Sequence, residues 1–139
     1  MERVLGLDLG SRTLGVAVSD PLGMIARTVE TFRFEEDDYD AALKRCGELI
    51  KEFSAKRIVL GLPKHMNGDI GIRGEISLQF KASLEEMYNI PVELVDERLT
   101  TVVAQKMLIS ADVSRKKRKK VVDQIAAVQI LQGYLDRKH

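Results

Sequence analysis

Residues 4–19, VLGLDLGSRTLGVAVS, carry the pattern from which the architecture of this chain can be inferred. Two short runs rich in β-forming residues, 4–9 and 14–19, flank the turn-forming sequence Gly10-Ser11-Arg12-Thr13. Strands joined by so short a turn pair antiparallel, so we predict a β-hairpin here. Its first strand is apolar except for Asp8, and a buried carboxylate is costly unless it has a partner. The hairpin therefore places one acid in the predicted sheet.

The pattern downstream of the hairpin changes from strands to alternating helices and strands. A third strand completes an antiparallel meander, and the next two strands are each reached through a helix, so they should run parallel to the first strand. We predict a single α/β domain over residues 1–139, with a mixed five-stranded sheet flanked by helices. The predicted elements after the hairpin are strand 28–34, helix 37–53, strand 57–61, helix 71–88, strand 92–95, helix 101–109 and helix 119–136.

Charge is unevenly distributed along the 139 residues. The chain has a net charge of only +1, with 45% hydrophobic and 31% charged residues, as in an ordinary globular protein. Residues 113–139, however, contain eight lysines and arginines and only two aspartates. A local excess of cations is typical of a nucleic-acid contact. Six of them are consecutive and are predicted to form a loop at 114–120 that binds substrate phosphates, the alternative being a solvated run of charge without a ligand: Arg115, Lys116, Lys117, Arg118, Lys119 and Lys120.

Cysteine content and hydropathy exclude several classes of protein. The single cysteine, Cys46, excludes an internal disulfide and a cysteine-rich zinc site, and its spacing places it on the apolar face of a helix. We find no signal-peptide pattern at the N-terminus and no stretch near the ~20 apolar residues that span a bilayer. A cytoplasmic protein without a membrane partner is expected.

Asp8 and Asp123 each allow two interpretations. Asp8 either accepts hydrogen bonds from the turn after its strand, as aspartate often does, or binds a ligand. Asp123 lies near the start of a helix that is apolar around much of its circumference. It could stabilise the helix dipole by about 0.3–1 kcal/mol, or it could serve a site formed with the sheet. The small Ala126 and Ala127 would let this helix approach the sheet closely.

A second pair of acids, Asp96 and Glu97, follows the last predicted strand, where open α/β sheets place their sites. Successive strand residues point to opposite faces, so only one of these two acids can face a given site. A salt bridge to Arg98, with Thr100 or Thr101 capping the next helix, is the structural alternative. It explains the threonines better than it explains two adjacent acids.

If Asp8, Glu97 and Asp123 converge, they form a pocket with oxygen ligands only. Such a pocket suits Mg²⁺ or Mn²⁺ rather than zinc, which prefers nitrogen and sulfur. Two such ions sharing ligands with a phosphodiester could activate water and stabilise the leaving oxygen. The acids would then position metals and carry out no proton transfer themselves.

The loop after the fourth strand, residues 61–68, combines glycine and proline with Lys64, His65 and Asn67. Glycine lets the backbone approach a phosphate, and Lys64 and Asn67 supply donors. The loop could equally be an ordinary connection in which Asn67 and Gly68 form a turn. A role for His65 as proton donor to the leaving oxygen is the weaker alternative to a solvated histidine.

Four ordered motifs resemble the YqgF family over essentially the whole chain: GLDLG with GVA at 6–17, GLPKHMNG at 61–68, DERLTT at 96–101, and Asp123 with AA at 126–127 and ILQ at 130–132. Its members are described as pre-16S rRNA nucleases and as Holliday junction resolvases. The resemblance implies an RNase H-like fold and a catalytic, metal-binding triad of Asp8, Glu97 and Asp123. Arg98 is assigned with the substrate-binding residues. Thr13, where many members have arginine, departs from the family pattern.

The leading hypothesis is a metal-dependent nuclease that matures the 5′ end of 16S rRNA precursors, with pre-ribosomal particles as partners. The first alternative keeps this chemistry but acts on four-way DNA junctions, which requires a dimer. A nucleotide-binding protein of the actin and sugar-kinase type shares the first phosphate-loop pattern, but it needs two domains. A non-catalytic RNA-binding assembly factor would gain nothing from three carboxylates near phosphate.

Overall fold

The computed structural model describes residues 2–63, 70–96 and 115–138, without the side chains of 115–124. The five strands of the described residues belong to one sheet of order β3-β2-β1-β4-β5. β1 pairs antiparallel with β2 and parallel with β4, β2 pairs antiparallel with β3, and β4 pairs parallel with β5. The elements are β1 Arg3–Leu9, β2 Thr13–Ser19, β3 Ala26–Arg33, α1 Tyr39–Phe53, β4 Ala55–Leu62, α2 Ile72–Tyr88, β5 Val92–Asp96 and α3 Arg115–Lys138. The predicted mixed sheet is confirmed.

Helices cover both faces of the sheet and divide the core in two. One cluster lies under α1 and α2, and it includes Leu5 and Leu7 of β1. The other lies under α3, and it includes Val4 of β1 together with Ala127 and Leu131 of the helix. Because side chains alternate along a strand, both faces of β1 are buried, as expected for a central strand with parallel pairing on one side.

Local signals account for the ends of α1. Asp38 precedes the helix, and its side chain accepts a hydrogen bond from the backbone N–H of Ala41 at 3.3 Å. Asp40 in the first turn and Lys51 in the last complement the helix dipole. The helix ends where Ser54 adopts a left-handed conformation, with φ of 52°. Because Asp38 is the cap, α1 begins at Tyr39, two residues after the predicted start at residue 37.

α3 corrects one prediction about the basic segment. A loop was predicted at 114–120, with a helix from residue 119, but α3 is helical from Arg115 to Lys138. The prediction relied on repulsion between adjacent cations. Lysine and arginine also have high helix propensity, and helix formation continues into them from the packed part of the helix. The predicted helix at 101–109 lies outside the described residues, and the other predicted bounds agree within two residues.

Gln132 attaches α3 to the turn between β2 and β3. Its Oε1 accepts a hydrogen bond from the N–H of Ala26, and its Nε2 donates to the carbonyl of Met24, both at 2.9 Å. The glutamine of the ILQ motif therefore has a structural role in the described part of the chain. β3 begins two residues before the predicted strand, where Ala26 pairs with Ser19 of β2. None of the described helices is both long enough and apolar enough to cross a membrane.

Cys46 lies in the core, as predicted, and should be chemically inert in the folded protein. Burial raises the pKa of its thiol to about 12, and the nearby charge of Arg45 opposes this only partly. The reactive thiolate is therefore scarce at pH 8. We expect labelling by a thiol reagent at pH 8 to be at least ~10³-fold slower in native protein than in denaturant. Rapid stoichiometric labelling of the native protein would contradict this placement.

Candidate active site at the carboxyl edge of the sheet

The parallel strands β1, β4 and β5 all end at one edge of the sheet, which we call the carboxyl edge. Asp8 lies one residue before the end of β1 and pairs with Gly15 of β2. On its other side, Leu7 pairs with Leu60, so the next position of β4 beside Asp8 is Gly61. Neither neighbour has a side chain to occupy the space beside Asp8. Two glycines of the sequence motifs thus flank the acid of the first strand.

Alternation along β1 places the side chain of Asp8 on the face covered by α3. Val4 belongs to the cluster under α3, and Gly6 lies directly below this helix. Asp8 follows Gly6 at the same period of two, and it is half-buried. The carboxylate of Asp8 therefore belongs to the layer between the sheet and α3.

The contacts of α3 define its register against β1. Val4 lines a cavity with Tyr134 and Leu135, whereas Gly6 lies against Ala127 and Leu131. The two elements therefore run in opposite directions. Two strand residues advance about 6.6 Å and one helical turn about 5.4 Å, so one further step pairs Asp8 with the turn that precedes residue 127. The backbone of Asp123 belongs to that turn.

The described end of β5 separates the two adjacent acids of the DERLTT motif. Val95 packs against the cluster under α3, whereas Leu94 packs against the cluster on the opposite face. Asp96 follows the alternation of Leu94 and is exposed. It therefore lies on the face opposite Asp8. Glu97, the acid implied by the family resemblance, lies outside the described residues.

Backbone hydrogen bonds fix the turn that follows Asp8. The carbonyl of Ser11 accepts from the N–H of Asp37 at 2.8 Å, and the carbonyl of Arg12 accepts from the N–H of Phe34 at 3.0 Å. The Arg12 guanidinium also forms an exposed ion pair of 3.1 Å with Glu36. The connection between β3 and α1 thus supports the loop next to the acid.

Arg73 is a residue at this edge that the sequence motifs did not identify. It lies in the first turn of α2, and its guanidinium donates to the hydroxyl of Tyr39 and to the carbonyl of Leu9, which directly follows Asp8. The first turn of a helix that follows a parallel strand reaches the carboxyl edge. That topological rule could have singled out Arg73 in the sequence, although no local pattern does.

Several predicted site residues are not described by the structure. Lys64, Asn67, Glu97 and Arg98 lie outside the described residues, together with His65. Asp123 and the six consecutive cations from Arg115 to Lys120 lie in α3, where only the backbone is described. Among the described residues there is no group of three or more histidines, cysteines, aspartates or glutamates that could hold a metal ion.

Comparisons of sequence identify the relatives of this chain. A family model described as "RuvX: Holliday junction resolvase" matches residues 2–137. A protein of Bacillus subtilis (strain 168) named "Putative pre-16S rRNA nuclease" is 60% identical over 134 residues, which cover 96% of this chain and 97% of that protein. A protein of the same name from Leuconostoc citreum (strain KM20) is 56% identical over 135 residues, covering 96% and 94%.

Comparisons of structure identify the fold. RuvC of T. thermophilus, solved in complex with Holliday junction substrate, superposes with a TM-score of 0.61 at 14% identity, covering 99% of this chain and 96% of that chain. The Holliday junction resolvase of fowlpox virus superposes with a TM-score of 0.59 at 13% identity, covering 99% of both chains. These likenesses confirm the predicted RNase H-like fold.

Proposed function

The chain belongs to the RuvX family, the YqgF family that its motifs resemble, and from this premise we propose that it is a metal-dependent nuclease that processes the 5′ end of precursor 16S rRNA. Membership makes it a hydrolase of phosphodiester bonds that acts on nucleic acid. The names of relatives that share more than half of its residues support the RNA substrate. A protein that acts on this substrate is expected to be located in the cytoplasm and to contact pre-ribosomal particles.

The position of Asp8 is the observation that carries the proposed chemistry. Its half-buried carboxylate lies at the carboxyl edge, on the α3 face, beside the register position of the turn that contains Asp123. Asp96 lies on the other face, so Glu97 is the acid of its pair that we assign to this site. We propose Asp8, Glu97 and Asp123 as the catalytic acids.

The ligand chemistry of this site fits a hard divalent cation. Carboxylate oxygens are the ligands that Mg²⁺ and Mn²⁺ prefer, and Asp8 presents one in a half-buried position. Asp8, Glu97 and Asp123 would hold one or two ions, which would supply Lewis-acid stabilisation of the phosphoryl group and an activated water. Gly15 and Gly61, which flank Asp8, contribute no side chain of their own to the space in which the phosphodiester would lie.

A direct test gives the purified protein two substrates, a 5′-extended 16S precursor RNA and a four-way DNA junction. Each is incubated with Mg²⁺, with Mn²⁺ and with chelator. We expect the RNA to be cut near the mature 5′ end only when metal is present. If a control nuclease cuts this RNA under the same conditions and the protein does not, the proposed activity is wrong, and a non-catalytic RNA-binding role becomes the better interpretation.

A second candidate function is resolution of Holliday junctions. The description of the matching family model favours it. Symmetric cutting of a four-way junction requires two active sites, hence two copies of this chain. Paired nicks in the DNA junction, made by a dimeric species in sedimentation analysis, would support this function. A protein that stays monomeric with bound junction would contradict it.

The basic segment at the start of α3 should bind substrate phosphates, as predicted from the sequence. We expect the triple variant Lys116→Gln, Lys117→Gln and Lys119→Gln to bind RNA more weakly and with a shallower dependence on salt. Each lost phosphate contact should reduce the slope of log K against log salt by about 0.7 for single-stranded RNA. Fluorescence anisotropy across a salt titration in chelator measures both quantities.

A triple variant with the same change in charge serves as control for the basic segment. Lys44, Lys51 and Lys56 are exposed and lie on α1 and at the start of β4. Substituting all three with glutamine should leave the salt slope close to that of wild type. Equal loss of slope in the two triple variants would mean that net charge alone attracts the RNA, and this would remove the specific role of residues 115–120.

A further inference from the structure

Arg73 is held in place by two neutral acceptors at the carboxyl edge. Its Nη1 donates to the Tyr39 hydroxyl at 2.9 Å, and its Nη2 lies 3.4 Å from the carbonyl oxygen of Leu9. The Tyr39 hydroxyl in turn donates to Oδ1 of Asp37 at 3.1 Å. A half-buried guanidinium is thereby fixed beside the residue that follows Asp8.

The charge of Arg73 is not neutralised by an ion pair in the described part of the chain. Two other half-buried arginines each bind a carboxylate directly: Arg45 binds Glu30, and Arg57 binds Glu93 at 3.0 Å. Among the described residues, Arg73 reaches a carboxylate only through the Tyr39 hydroxyl. A partly desolvated cation without a direct counter-ion costs free energy, and an anion bound there would offset this cost.

We propose that Arg73 binds a phosphate of the substrate next to the phosphodiester that is cut, an inference that rests on the proposed function. A guanidinium has five N–H donors, and the two described contacts leave donors for a phosphate oxygen pair. Arg73 comes from the α2 side of the edge, whereas Asp8 lies on the α3 side. A nucleic-acid strand that crosses the edge therefore contacts both residues.

Tyr39 orients this phosphate-binding group. Its single hydroxyl proton is donated to Asp37, so its oxygen is left to accept from Arg73. The planar guanidinium is thereby held before substrate arrives, which lowers the entropy lost on binding. Tyr39 is a positioning residue in this arrangement, and Arg73 is the residue that contacts the phosphate.

The test measures binding of 5′-extended precursor RNA and of a four-way DNA junction in chelator, across a salt titration. We expect Arg73→Gln to weaken binding of the preferred ligand about tenfold and to reduce the salt slope by about 0.7–0.9, the loss of one phosphate contact. Arg73→Lys keeps the charge, so it should keep the slope while it loses part of the affinity. Thermal melting in parallel shows whether each variant is folded.

Arg57→Gln is the matched control, since Arg57 is also a half-buried arginine but lies near the opposite end of its strand in an ion pair. It should leave affinity and slope unchanged. If Arg73→Gln binds like wild type, the proposal is wrong. If Arg73→Gln does not fold, the same binding measurement on Tyr39→Phe tests the proposal. A loss of about threefold in affinity at an unchanged melting temperature supports the proposal, and wild-type affinity in both Tyr39→Phe and Arg73→Lys overturns it.

The binding measurement separates this proposal from the proposed function. If the protein never cuts RNA, but Arg73→Gln binds RNA with one phosphate contact fewer, the phosphate site is supported and the proposed nuclease activity is wrong. If the protein cuts RNA in the presence of metal, but Arg73→Gln binds RNA as wild type does, the nuclease activity is supported and the proposed phosphate site is wrong. If wild type binds neither nucleic acid, both proposals are wrong.

Discussion

Replacing Asp8 with asparagine should abolish metal-dependent cleavage, with a fall in rate of about 10³-fold or more, equivalent to ~4 kcal/mol of transition-state stabilisation. Asparagine has nearly the same shape, but it lacks the negative charge with which a carboxylate binds a divalent cation. The half-buried position of Asp8 beside two glycines leaves no described acid to take its place on that face of β1. Single-turnover cleavage of precursor RNA in Mn²⁺ gives the rate.

Asp96→Asn is the matched control for Asp8→Asn. Asp96 is exposed at the end of a neighbouring strand, on the opposite face of the sheet. We expect its replacement to lower the cleavage rate far less than Asp8→Asn does, because Asp96 lies on the face of the sheet opposite the proposed metal ligands. Both variants should melt close to wild type. Full activity of Asp8→Asn, or a large loss in Asp96→Asn alone, would contradict the assignment of the two acids.

Gly6→Ala should destabilise the protein by about 1–3 kcal/mol, the range for overpacking a close contact in the core. An added Cβ would lie 2.6 Å from Cβ of Leu131 and 3.0 Å from the carbonyl oxygen of Ala127. Neither the carbonyl oxygen of Ala127 nor Cβ of Leu131 can be moved aside by a change of rotamer, so α3 must shift away from the sheet. Thermal melting should show a decrease of about 4 °C for each kcal/mol.

The same displacement should reduce cleavage below the melting temperature. Gly6 contacts α3 one turn away from the register position at which the turn of Asp123 meets Asp8. A helix lifted at Gly6 therefore changes the distance between the elements that carry two of the proposed metal ligands. Cleavage by folded Gly6→Ala at 25 °C should fall at least ~10-fold, since misplacement by ~1 Å can cost more than this.

Gly133→Ala is the control for the glycine substitution. Gly133 lies within α3, and of the described atoms an added Cβ would meet only Nη1 of Arg137, at an ordinary 3.7 Å. Alanine is favoured over glycine inside a helix by about 0.5–1 kcal/mol, so this variant should melt above wild type. Equal destabilisation by the two substitutions would mean that Gly6 has no special role in the contact between α3 and the sheet.

The described elements agree with the sequence because their signals are local. Alternating apolar residues and short turns predicted the meander, and helical spacing between the later strands predicted that these strands run parallel to β1. The same rules placed Asp8 and Asp96 at one edge of the sheet, because carboxyl ends of parallel strands lie together. The family was identified from motifs and confirmed by relatives that span nearly the whole chain.

The start of α3 was predicted incorrectly because two local effects oppose each other there. Repulsion among six adjacent cations favours a loop, and a cationic first turn is unfavourable for the helix dipole. The high helix propensity of lysine and arginine favours extension of a helix that is already packed. Whether the basic segment is a loop or part of the helix depends on the packing of residues 126–135 against the sheet, which local sequence does not reveal.

The succession of strands and helices along the chain, the family and the candidate acids could all be predicted from the amino-acid sequence, since each depends on periodicity or on motifs within a few residues. Three facts became visible only once the elements were packed together: Asp96 faces away from Asp8, Gly6 lets α3 pack directly on β1, and Arg73 reaches the carbonyl of Leu9. The first depends on the register of the strands. The other two depend on contacts between residues that are 64 or more positions apart in the sequence. Such contacts follow from how whole elements pack, and no local pattern encodes them.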